Sequence, residues 1–160
     1  MIEPESALLE KVLHVERSSF IRYVVEGSEP ELRDEFDRRV FAFYEDWARE
    51  SARSEEALIE ALESKGESLG VPSFPLEFSQ FNYVGAGYLL HAVISRMGDH
   101  VRALEDLGRR LEGSGTAREL VSAIIERHEI FLKEARKLDT ERPPRLPKPA
   151  RIKGTSASRW

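Results

Sequence analysis

Four residues carry a charge or an imidazole where the surrounding pattern is apolar: Glu16, Glu50, Arg53 and His128. Carboxylate oxygen and imidazole nitrogen are ligand atoms for divalent transition metals. On a buried stripe they are costly unless a counter-charge, hydrogen bonds or a metal meets them. Arginine stays protonated and has no lone pair to give, so Arg53 can contribute only positive charge.

Helical elements must place these groups. Leu9, Leu13, Glu16, Phe20 and Tyr23/Val24 recur at three- and four-residue steps, which predicts a first helix from about Glu5 to Glu26, stopped by Gly27. Ser28 followed by Glu31, with Pro30 between, reads as a capping box opening a second helix. Its stripe is Phe36, Val40, Phe43, Trp47, Glu50, Ser54, Ala57 and Ala61, and it ends near Gly66. A third helix starts between Phe81 and Gly87, with Leu90, Ile94, Met97, Val101, Leu104 and Leu111 on one face. Thr116 with Glu119 reads as a further capping box, opening a fourth helix that lines up Leu120/Val121, Ile124, His128, Phe131, Ala135 and Leu138. Between the second and third helices, Pro72 and Pro75 mark a long connection in which Phe74, Leu76 and Phe78 alternate, an extended strap with one apolar face.

Glu16 with Tyr23 seven residues on, and Glu50 with Arg53 three residues on, resemble the ferritin-like superfamily of the bacterioferritin and rubrerythrin type. That resemblance covers the chain from about Glu5 to Asp139 and implies an all-α four-helix bundle with a long crossover between helices two and three. The family places Glu-x-x-His where this chain has Glu50 and Arg53, a Glu where it has Met97, and a Glu three residues before His128, where it has Ile125. Glu126 and Glu129 fall on the flanks of that stripe. Glu16, Glu50 and His128 keep a ligand type at their positions; Arg53, Met97 and Ile125 do not. The resemblance therefore implies a degenerate site, with the Arg53 guanidinium standing in for the metal charge and no cofactor bound. The expected role is structural or interactive and not enzymatic. The alternative is a metal-dependent oxidoreductase or iron-handling protein holding iron or another divalent ion on Glu16, Glu50 and His128.

His14, His91 and His100 lie beside the apolar stripes and read as ordinary half-buried histidines. Phe36, Phe43, Tyr44 and Trp47 read as core. Gly85-Ala86-Gly87 has no strand before it and is too short for a dinucleotide loop. With no cysteine in the chain, thiolate metal sites, disulfides and cysteine nucleophiles are excluded. The acidic start lacks an apolar leader and no run is long enough to span a bilayer, so a cytoplasmic protein without membrane contact is expected.

Charge is uneven. From Arg142 onward there are six basic residues and no acidic one, leaving 18 basic against 29 acidic in residues 1–141, a balance of −11. An acidic body argues against nucleic acid. The chain thus divides into a helical domain, 1–141, and a Pro-rich basic tail, 142–160. The tail, with Arg151, Lys153 and Trp160 as contact residues, reads as an arm for a second copy or another protein partner, which adds an adaptor role to the alternatives.

Overall fold

The computed structural model describes residues 3–63, 73–111, 113 and 115–144. Five α-helices dominate: α1 (Glu5–Arg17), α2 (Phe20–Glu26), α3 (Glu35–Glu63), α4 (Leu90–Arg110) and α5 (Gly115–Thr140). A 3-10 helix covers Leu76–Phe81, and no strand occurs among the described residues. The all-α expectation holds at that level.

The expected first helix is broken in two. Ser18 donates its Oγ to the His14 carbonyl at 2.8 Å, and Ser19 turns extended and accepts the Arg22 amide on its own Oγ at 3.3 Å. Two adjacent serines thus offer the backbone hydrogen bonds that compete with the helix, ending α1 and capping α2.

Two capping boxes are also corrected. Ser28 Oγ donates back to the Val24 carbonyl at 2.7 Å and caps nothing ahead of it. The start of α3 is held by Asp34, whose Oδ1 accepts the Asp37 amide, while Asp37 Oδ2 accepts the Arg33 amide, both at 2.8 Å. Thr116 lies inside the first turn of α5, which begins at Gly115. At the start of α3, Asp34 and not Ser28 is the residue that accepts an amide.

Of the strap, residues up to Pro72 lie outside the described residues, and Leu76–Phe81 forms a 3-10 turn where an extended segment was expected. Phe78 is buried, Phe74 packs edge-on against Tyr23, and Leu76 faces solvent. The Arg96 guanidinium of α4 lies 5.0–5.4 Å from the ring centres of Phe20, Phe78 and Phe81, which fastens the turn by cation–π attraction.

Helix α1 packs on α3 and α4, α2 on α3 and α4, and α5 on α4 and α3. Their apolar residues form two separate clusters. One gathers Phe20, Val24, Val40, Tyr44, Trp47, Met97, Leu132 and Ala135. The other gathers Leu9, Leu13, Leu58, Leu62, Leu104, Leu107, Val121 and Ile124. Helices α3, α4 and α5 each pass from one cluster to the other, near Ser51, His100 and His128, while α1 packs in the second cluster and brings Glu16 to the boundary near its C-terminal end; all four residues are buried. No described helix is long and apolar enough to cross a membrane.

Candidate functional site

Those four polar residues meet. Glu16 Oε1 lies 2.7 Å from His100 Nε2 and 2.7 Å from His128 Nε2, and Ser51 Oγ donates to Glu16 Oε2 at 3.1 Å. The carboxylate is wholly buried, and the two imidazole rings sit edge to face with centres 4.8 Å apart. Burial by itself raises the Glu16 carboxyl pKa, but hydrogen bonds from His100 and His128 to the ionised form outweigh it and lower the pKa from the usual carboxylate range. Glu16 is therefore the ionised acceptor of the cluster, and both Nε2 atoms face it as donors.

Trp47 fixes one of those protons. Its indole Nε1–H donates to His128 Nδ1 at 2.9 Å. Indole has no acceptor nitrogen, so Nδ1 must accept, and the hydrogen of a neutral imidazole is then on Nε2. This tautomer follows from the donor set and agrees with the bond to Glu16. Trp47 is in turn held by Phe131, stacked at 5.5 Å and 9°, and by Phe43 at 5.8 Å. No buried side-chain nitrogen or oxygen among the described residues lacks a hydrogen-bond partner.

The donor set also defines a candidate for metal. Glu16, His100 and His128 offer one carboxylate and two imidazoles whose ligand atoms lie within 4.8 Å of one another. Two histidines and one carboxylate suit zinc, cobalt or iron(II). The geometry fits hydrogen bonds better. Ligands around an ion with bonds of 2.0–2.2 Å stand roughly 2.8–3.6 Å apart, whereas both nitrogens approach Oε1 at the 2.7 Å of a charge-assisted N–H···O⁻ contact. The hydrogen that Trp47 forces onto His128 Nε2 also occupies the lone pair a metal would need.

The expected ligands separate. Glu16 and His128 come together, but Glu50 does not join them. Its Oε1 accepts Arg53 Nη1 at 2.6 Å one turn along α3, and the Arg53 side chain is 63% exposed. Arg53 therefore does not supply charge to Glu16; a surface pair satisfies it locally. The inward position belongs to Ser51. Met97 is buried in the apolar cluster, and Ile125 packs at the cluster margins. Tyr23 turns away with α2, donating its hydroxyl to Asn82 Oδ1. Arg151, Lys153 and Trp160 lie outside the described residues.

His100 is the functional candidate that sequence reasoning missed. It reads as an ordinary histidine beside the stripe, yet it is one of the buried residues of α4, and Leu90, Val93, Met97, His100, Leu104 and Leu107 step by three or four throughout. That periodicity was available in the sequence. A surface cleft of about 570 Å³ lies elsewhere, lined by Phe36, Asp37, Gly87, Tyr88 and Arg142 among others, and takes no residue from the network. Compared with known proteins, the chain matches no family model, no curated protein and no solved structure.

Proposed function

We propose that this chain is a four-helix bundle of the ferritin-like kind in which hydrogen bonds take the place of a metal centre, and that it serves a structural or protein-interaction role in the cytoplasm. The observation that carries this reading is the Trp47 indole donating to His128 Nδ1, which puts a hydrogen where a metal would bind. One residue from each of α1, α3, α4 and α5 joins the polar layer, as a bundle core with one site would require, and the chain between Glu63 and Leu90 supplies the long crossover. Satisfied polar layers of this kind fix helix register by penalising every slip that leaves a buried group unpaired. Elemental analysis of protein purified without chelator tests the reading. Metal far below one ion per chain is expected; one ion per chain that is lost on His100→Ala would overturn it.

A second reading is favoured by the convergence of three ligand-type side chains from three helices. In it, Glu16, His100 and His128 hold one divalent ion, and the chain handles metal or carries out metal-dependent redox chemistry. The same elemental analysis separates the two.

The interaction role draws on charge. Six basic residues from Arg142 onward face a balance of −11 in residues 1–141, which suits docking of the tail on a second copy of the chain or on another acidic protein.

A further inference from the structure

We propose that Trp47 selects hydrogen over metal at the Glu16 cluster, which is otherwise a latent site for one divalent transition-metal ion of the zinc or cobalt class. This inference rests on the reading of the cluster as metal-free. The three ligand atoms are already gathered, buried and contributed by separate helices. Ser51 holds Glu16 Oε2 at 3.1 Å and leaves Oε1 turned toward both imidazoles. Both imidazoles donate to Glu16 through Nε2, and at His128 the Trp47 indole holds the ring in that tautomer.

A metal-binding histidine normally donates its other ring N–H to an acceptor, which directs the free lone pair at the ion. Here the group against Nδ1 is a donor with no acceptor capacity, at 2.9 Å. Metal on Nε2 would place two N–H groups head to head in a buried space. Trp47 cannot swing aside, because its ring is fully buried and held between Phe43 and Phe131. The partner that would set metal affinity in an ordinary site is thus inverted, and changes in such partners move affinity by about 10–100-fold.

Cobalt(II) titration of the wild-type chain and of Trp47→Phe, followed by visible absorbance and competed with zinc, tests this. Phenylalanine keeps an aromatic ring and removes the N–H. Trp47→Phe should bind one cobalt ion at least about tenfold more tightly than wild type, and adding His100→Ala should abolish the gain. A folded Trp47→Phe chain that binds no better than wild type overturns this inference and leaves the metal-free reading standing. Tight binding by wild type that His100→Ala removes overturns both. Binding indifferent to His100→Ala places the ion elsewhere and also overturns the inference. Should Trp47→Phe fail to fold, replacing Trp47 by β-(3-benzothienyl)alanine, which carries sulfur where indole carries N–H, keeps the shape and is judged by the same outcomes.

Discussion

At the scale of residues, the polar layer is an ionised carboxylate with three donors. Glu16→Leu removes the acceptor and leaves two imidazole N–H groups and the Ser51 hydroxyl facing each other. Leaving buried donors unsatisfied in this way costs about 1–3 kcal/mol for each orphaned group. Arg53→Leu, on a side chain 63% exposed and paired one turn away, should cost about 0.5 kcal/mol or less. Denaturant midpoints at neutral pH check the ranking, and equal losses would contradict it. The pH dependence has a definite sign. Native Glu16 has a lowered pKa, so the unfolded chain takes up its proton first as pH falls. The stability Glu16 contributes is present above the unfolded value of about 4.3 and is lost below it, on the way to the depressed native pKa. Glu16→Gln keeps an acceptor for both imidazoles but cannot titrate. Its stability should fall less steeply than that of wild type below about pH 4.3; parallel curves would contradict the assignment.

At the scale of elements, the sequence showed which segments are helical but not where they begin. Ser19, Ser28, Asp34 and Thr116 are all competent caps, and only Ser19 and Asp34 accept an amide at a helix start. The expected stripe of α3 lies one residue out of phase at Phe36, Phe43, Glu50, Ala57 and Ala61, each only partly buried, and agrees at Val40, Trp47 and Ser54. The buried sequence is Trp47, Ser51, Ser54, Leu58 and Leu62, whereas Glu50, Ala57 and Ala61 had been placed inward. After Trp47 a step of three or of four is equally periodic, and the polar identity of Ser51 gave no reason to prefer it. On α5 the phase was unambiguous, because Val121, Ile124 and Leu138 bracket His128 with apolar residues, and that face is buried as expected. One tie between elements carries its own prediction. Asp37 of α3 accepts the Arg33 amide through Oδ2 and the buried Gly87 amide through Oδ1, each at 2.8 Å, which joins the entrances of α3 and α4. Asp37→Ala should cost about 1–3 kcal/mol through the orphaned amides, with hydrogen exchange at Gly87 accelerated. Unchanged exchange there would remove Asp37 from that role.

At the scale of the whole molecule, two apolar clusters flank one polar layer; α3, α4 and α5 each cross it once, and α1 ends at it. The helical class and the inward faces of α1 and α5 were legible from periodicity alone. The composition of the layer was not: the periodicity of α4 admits His100 to the inward face, but nothing in the sequence pairs His100 or Ser51 with Glu16 before the helices bring them together. The proposed docking of the basic tail belongs to this scale. If residues 142–160 dock on a second copy of the acidic body, deleting residues 145–160 should shift the light-scattering mass toward monomer, as high salt should for the intact chain. Mass unchanged by both would exclude the second copy as partner.

The hydrogen on His128 tests the central claim most directly. Nitrogen-15 NMR of histidine-labelled protein distinguishes a ring nitrogen that carries hydrogen from one that does not. The network requires His128 to carry its hydrogen on Nε2, with Nδ1 bare and accepting from the Trp47 indole. A His128 signal with hydrogen on Nδ1 and a metal-bound or bare Nε2 would contradict it.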